Sequence, residues 1–371
     1  MRGRFHRFAL RACVTCSAFA FLALPGLSLG AESKLSPQEQ ALVREAKKEG
    51  SVIVINPLLQ DDTVRAWSAA FLKYYDLGSG FQFNNLRKGT GAVVAQVRQE
   101  IKAGKFSVDA VFVNNPPFFD AAAKQGAFLK LESAHWKNHE AGVKKAGQYA
   151  NYPYVVTPFG YAFIAVWNAN CPGMKDVNIA SIWDTVAPAL KGKTISPDLP
   201  KSSTLTNSVI GLMEAGVDMN LFWDKLKATD AMVELRTEAK MQMILKCERA
   251  VDMWNLGVRA YQATEGKPEL RKHIRFGTFK EGHLMLGNQM SVLKGALRPN
   301  AAKLMVEFFL TKESADLMAE YEAEYSFLEG WKIPPKAQPF MPEIKVLGLK
   351  DWVATGKQAE RVREEWEKRF K

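Results

Sequence analysis

Four short stretches carry most of the chemistry legible in this chain. Arg87-Lys88-Gly89-Thr90-Gly91 is a basic pair with a glycine turn, after which Val93, Val94, Val97 and Ile101 recur at helical spacing. A glycine turn feeding a helix lets the backbone approach a ligand, and the first N–H groups of the helix have no internal partner. Such an end favours a carboxylate, phosphate or other anion. Lys201-Ser202-Ser203-Thr204 offers a second helix opening of this kind, with hydroxyls and a lysine. Each has a plain structural reading as well, a tight turn in one case and an ordinary cap in the other. Asn114-Asn115 closes a buried strand, and Trp254-Asn255-Leu256-Gly257 closes another. Their amides and indole could orient a bound solute.

No catalytic pattern accompanies them. The chain lacks a Gly-x-Ser-x-Gly elbow, a His-Glu-x-x-His pair, a Gly-Lys-Ser/Thr phosphate loop and a full dinucleotide fingerprint. Asp61, Asp109 and Asp198 fall near loops, but sequence alone does not pair them. His135 and His139 are four apart beside Glu140, a spacing that can hold zinc. Two histidines and one carboxylate do not complete a site, so solvated surface is the expectation, with no metal and no cofactor.

The positioning elements alternate between strand and helix. Ser36-Pro37-Gln38-Glu39 is a capping signature for a helix that should end at Gly50. Ser51 to Asn56 reads as a strand. The loop Pro57 to Asp62, with Gln60, follows its carboxyl end, where open α/β sheets bind ligands. A helix from about Thr63 to Tyr75, a strand from Phe81 to Leu86, the glycine-turn helix and a strand from Val108 to Val113 continue the pattern. This order argues for a parallel sheet with right-handed crossovers. Further on, Ala231 to Cys247 reads as helix, Ala250 to Met253 and Met290 to Leu293 as strands. Pro299 to Glu320 reads as one long helix, and Asp351 to Lys371 as a charged helix packed on one part of the fold. Gly126 to Tyr154 reads as looser and charged.

The ordered set of stretches resembles the periplasmic solute-binding proteins of ABC importers, and within them the ferric-iron-type branch of the two-lobed class. The carriers are Arg-x-Gly-x-Gly with its helix, the Ala-Gly-Lys stop and the Asp109 strand. Ala41 to Val54 is similar to that family's opening helix and strand, and Gly160 to Asn168 to its hinge strand, which Tyr161 opens. Lys294 to Phe309 is similar to its return strand and Pro-Asn-Ala-Ala-Lys helix start. The resemblance implies an α/β fold of two lobes (type II-like), each a mostly parallel sheet flanked by helices, with hinge strands between. Lobe 1 would take residues 31–158 with 290–325, and lobe 2 residues 159–289 with 326–371. It implies a small solute in the interlobe cleft and a membrane permease as partner. The expected ligand-binding set is Gln60, Lys88, Gly89, Thr90, Gly91, Asn114, Asn115, Tyr161, Lys201, Ser202, Ser203, Thr204, Trp254 and Asn255. Two helix N-termini and two lysines point to an organic anion. Ferric-binding relatives place a Tyr-Tyr pair where this chain has Trp254-Asn255, and a ferric ion wants anionic oxygen ligands. Direct iron or iron-chelate binding is thus the alternative, as is an enzyme on the same scaffold.

Export fits this reading. Arg2, Arg4, Arg7 and Arg11 precede an apolar run from Ala12 to Leu24, and small residues at Ser28 and Gly30 set a cleavage site, so residues 1–30 read as a signal peptide. Taking four arginines and no acids from a net charge of +11 leaves +7 on the mature chain. Those charges are scattered among acids, with no basic block interleaved with aromatics, so nucleic acid is not an expected partner. A monomer is expected. Two cysteines, Cys171 and Cys247, remain after processing, either bridged in an oxidising compartment or buried as free thiols.

Overall fold

The computed structural model describes residues 35–371; the signal-peptide reading lies outside them. Strands β1 (Ser51–Asn56), β2 (Gln82–Arg87) and β3 (Ala110–Val113) lie parallel in the order β3-β1-β2, connected through helices Asp61–Tyr74 and Thr90–Ala103. The first helix, Pro37–Glu49, starts with the capping box of Ser36 and Glu39 and ends at Gly50 with φ 70°. Glycine suits that left-handed C-cap because it has no Cβ to clash.

After β4 (Val156–Tyr161) only Ala162 and Phe163 intervene before β5 (Ile164–Asn168), which belongs to a second sheet. That sheet adds β6 (Thr194–Ser196), β7 (Met232–Val233), β8 (Val251–Asn255) and β9 (Ile274–Gly277) in the order β7-β6-β8-β5-β9. The chain returns through β10 (His283–Leu284) to β11 (Leu286–Val292), which lies antiparallel between β3 and β4. Finally β12 (Tyr325–Ser326) edges the first sheet beside β4, and β13 (Val346–Leu347) pairs with β10. The product is two α/β lobes whose sheets exchange the chain at 162–163 and just before Leu286. The boundaries expected at 158/159 and 289/290 fall inside β4 and β11. Close approach of these two strands needs glycine: a Cβ on Gly160 would sit 2.9 Å from the Gly287 Cα.

Each lobe has its own aromatic core. In the first, Trp67 stacks on Phe309 at 4.1 Å and meets Phe71, Phe83 and Phe308, sealing helix Asp61–Tyr74 against the returning helix Pro299–Phe309. In the second, Trp254, Phe222 and Trp366 are buried in one cluster, and helix Gly356–Phe370 covers helices Ser203–Glu214 and Met219–Ala228. Cys171 and Cys247 are disulfide-bonded in the second lobe, with Cα atoms 5.4 Å apart.

Several sequence expectations need correction. The stretch from Pro299 to Glu320 is two helices, Pro299–Phe309 and Lys312–Glu322, because Thr311 accepts the Ser314 N–H and caps the second. Hydrophobic periodicity runs through that break and hides it. Ala231 to Cys247 holds strand β7 before its helix, Thr237–Leu245. The last helix begins at Gly356 rather than Asp351. β11 starts at Leu286 because Gly287, Asn288 and Gln289 are buried despite their polarity. The 126–154 region contains helix Glu140–Lys145, and His139 is fully buried with Nε2 3.0 Å from the Leu310 carbonyl, not solvated surface. Burial pushes its imidazole down to about 4.

Candidate functional site

The two sheets meet where polar residues gather at the carboxyl ends of their parallel strands. In the first lobe Asn114, next after β3, donates from Nδ2 to the Gly287 carbonyl, and Asn288 donates to Glu324 Oε1 at 2.7 Å. Gly287 and Asn288 are consecutive on β11, so Asn114 and Glu324 grip adjoining positions. The hydroxyl-bearing ring of Tyr161, the last residue of β4, is buried in the same cluster as Leu205 at the start of the second lobe's helix Ser203–Glu214. Burial, and after it the charge of Glu324, push that hydroxyl's pKa up. Glu324 is fully buried; desolvation, then the charge of Glu322, hold its carboxyl well above the usual range. In the second lobe Asn255 ends β8 opposite Ile164 and donates to Asp252 Oδ2 at 2.8 Å. Asp252 also pairs with Lys240 at 2.7 Å, both buried.

A second link across the seam is ionic. Arg259, on helix Gly257–Ala263 of the second lobe, pairs with Glu322 at the end of helix Lys312–Glu322 on the first. Glu322 Oε1 accepts the Gln60 backbone N–H at 3.0 Å and the Thr63 hydroxyl. The Gln60 amide, turned with its oxygen toward Arg259, accepts from the guanidinium at 2.7 Å. Two residues before Arg259, Gly257 packs against the Phe340 backbone, where a Cβ would lie 2.1 Å from the carbonyl oxygen.

The expected site residues therefore divide. Gln60, Asn114, Tyr161, Thr204 and Asn255 stand on the seam. Asn115 caps helix Pro116–Lys124, and its own N–H donates to Gln289 at 3.0 Å. Ser202 caps the Ser203–Glu214 helix by accepting the Leu205 N–H, and its hydroxyl is 3.1 Å from that of Thr204; Ser203 is half-buried. Trp254 is packed in the second core, and its carbonyl takes Lys240 Nζ. Gly89 and Gly91 are exposed, and Lys88 donates to Gln96 on the helix that follows it at 2.7 Å; Thr90 is the first residue of that helix. Lys201 is exposed and pairs with Asp198 at 2.8 Å. Asp109 supports the core instead, paired with Arg298 and bonded to the Ile53 N–H. Sequence reasoning passed over Arg259, Asn288, Glu322 and Glu324. Glu322 and Glu324 lie just past the helix read from Pro299 to Glu320, in an acidic stretch between Tyr321 and Tyr325 that gives no local signal of burial.

Between the helices Asp61–Tyr74 and Lys312–Glu322 of the first lobe and Gly257–Ala263 of the second lies an open cleft of about 790 Å³. Arg65, Tyr261, Gln262, Arg271 and Glu320 line it, and Arg271 sits 4.5 Å over the Tyr261 ring. None of the expected ligand residues lines it. Among the described residues no group of three or more His, Cys, Asp or Glu is placed to hold a metal ion, and no helix is long and apolar enough to cross a membrane.

Neither a family model nor a curated protein matches the sequence. Solved structures do match over most of the chain. Iron-bound HitA from Pseudomonas aeruginosa superposes with a TM-score of 0.66 at 19% identity, covering 85% of this chain and 99% of that one. The substrate binding protein of an ABC transporter from Agrobacterium tumefaciens gives 0.67 at 16% identity, covering 85% and 94%. The fold is that of ABC-transporter substrate-binding proteins. The periplasmic binding protein AfuA from Actinobacillus pleuropneumoniae, with fructose-6-phosphate bound, gives 0.65 at 15%, covering 86% and 98%.

Proposed function

We propose that the protein is the solute receptor of an ABC importer, a periplasmic monomer that closes its two lobes on one small organic anion and hands it to a membrane permease. Lobe 1 would comprise residues 36–161 with 286–326, and lobe 2 residues 162–285 with the C-terminal helix. The observation that carries the reading is the seam itself. Polar residues at strand ends of both sheets, and the ion pair of Arg259 with Glu322 that joins a helix of each lobe, lie where a hinged pair of lobes must part and close. The anion is assigned to the start of helix Ser203–Glu214, where the hydroxyls of Ser202 and Thr204 adjoin the positive helix end. Lys88, Gly89, Thr90, Gly91 and Lys201 would act from the rim, drawing anions in rather than gripping them. Residues 1–30 would direct export.

A panel of organic anions, amines and ferric chelates, read by thermal shift and tryptophan fluorescence, tests the proposal. A saturable rise in melting temperature with no chemical change in the solute is expected. Turnover of the bound compound would replace the receptor with an enzyme. Protein recovered from the periplasm should begin at Ala31, and an intact Met1 on exported protein would overturn the export assignment.

A further inference from the structure

We infer that residues 331–342 form a wedge, carried by the first lobe, whose seating against the second lobe sets the angle between the two. The use of such a device rests on the receptor reading, since a receptor must part its lobes, whereas the contact itself does not depend on it. Besides this segment, the chain passes between the sheets at 162–163 and just before Leu286. Those two passages are neighbours, because Tyr161 at the end of β4 is registered with Leu286 at the start of β11. Two adjacent strands make a hinge only about 5 Å across. So narrow a hinge leaves the lobe angle to be set by packing elsewhere.

The wedge supplies that packing. Prolines at 334, 335, 339 and 342 fix φ and withhold N–H donors, which makes the segment stiff. Ala337, Phe340 and Met341 are buried in one cluster with Ala319 and Ala323 of the first lobe and Val258 of the second. The polar attachments go to the first lobe. Trp331 Nε1 donates to Asp316 Oδ1 at 2.9 Å, the Tyr325 hydroxyl donates to the Pro342 carbonyl at 2.8 Å, and Lys336 pairs with Glu320 at 3.3 Å. Toward the second lobe the contact is apolar and close. The Phe340 ring lies 4.8 Å from that of Tyr261, and the Phe340 carbonyl packs on Gly257. Only beyond Pro342 does the chain bond to the second lobe, where the Lys345 carbonyl accepts the His283 N–H at 2.8 Å.

Parting the wedge from the first lobe would break directional bonds, whereas an apolar face separates without leaving a buried polar group unpaired. The release line therefore runs between Phe340 and helix Gly257–Ala263, and the wedge stays with the first lobe. Phe340, Val258 and Tyr261 also line the cleft of about 790 Å³, so the lobe angle set at this contact sets the width of that cleft. The Arg259–Glu322 pair joins the same two helices and adds charge to the same junction.

Nitroxide labels on Lys73→Cys and Lys227→Cys test this by double electron–electron resonance. Both positions are exposed, one on helix Asp61–Tyr74 and one on helix Met219–Ala228, and the bonded Cys171 and Cys247 take no label. Without solute the interlobe distance should show one narrow maximum. Phe340→Ala should move it to longer distances and erase the single maximum. Val258→Ala, which trims the seat from the other lobe, should shift it in the same direction and keeps the test open if Phe340→Ala does not fold. Wild-type distances in both variants, with melting merely lowered, would make the segment ordinary core and overturn the wedge. A broad distribution in the protein with Phe340 and Val258 intact would overturn it too. The solute panel tests the receptor reading separately, and neither of these results touches it.

Discussion

Replacing Arg259 by Met should cost the protein about 3–5 kcal/mol, the range for leaving a buried charge without its partner. Arg259 is 9% exposed and Glu322 is fully buried, so water cannot take over the guanidinium's role. Glu322 would keep two donors, the Gln60 N–H and the Thr63 hydroxyl, which favours the low end of the range. Glu322→Gln keeps the shape and an acceptor for both, so the double variant should recover part of the loss. The coupling in the cycle should reach about 2 kcal/mol, within the range for contacting residues. Guanidinium denaturation of the four proteins measures it. Because the pair joins helices of opposite lobes, Arg259→Met should also enlarge the radius of gyration in small-angle scattering. A change within about 0.5 kcal/mol, the span of ordinary surface substitutions, with unchanged scattering, would refute the cross-lobe clamp.

Reducing the Cys171–Cys247 bond, which closes a loop of 76 residues, should lower stability by about 4 kcal/mol on the chain-entropy account, read as a fall in melting temperature with reductant. Unchanged melting, or free thiols in the untreated unfolded chain, would count against it. Burial raises Glu307 to about 7 against 4.5 in the unfolded chain, so its contribution favours folding at low pH and is lost as pH rises from about 4.5 through 7. Glu39 works in the opposite sense: His135 and Ser36 hold it at about 2, so its contribution is present above 4.5 and is lost as pH falls toward 2. Glu307→Gln should therefore stabilise at pH 8 and be nearly neutral at pH 4, and equal effects at both would refute the assignment. Gly257→Ala should destabilise the second lobe's first seam helix against the Phe340 carbonyl and weaken solute binding; a variant with unchanged melting and affinity would show that the contact is slack.

The sequence by itself determined the layer plan. Alternating strand and helix periodicity, the Ser36–Glu39 cap, the glycine stop at 50 and the buried strand at 110–113 are local signals, each set by residues within a turn or two of one another. The same holds for the helix openings at Thr90 and Ser203. Local signals do not say which polar residues will be surrounded. Lys88 and Lys201 have the residue type an anion site wants, yet each finds a partner within its own segment and stays exposed, at the end of the element that carries it. Glu322 and Glu324 follow the helix read from Pro299 to Glu320 with no local signal of burial, yet both are fully buried: Glu322 meets Gln60, Thr63 and Arg259, and β12, next after Glu324, pairs with β4 from more than 150 residues away. Only that pairing, with the insertion of β11 between β3 and β4, sets Asn114, Asn288, Tyr161 and Glu324 side by side. Burial turns the same side chains from surface decoration into a polar seam, since a buried charge or amide must find its partner in the fold or in what the fold binds.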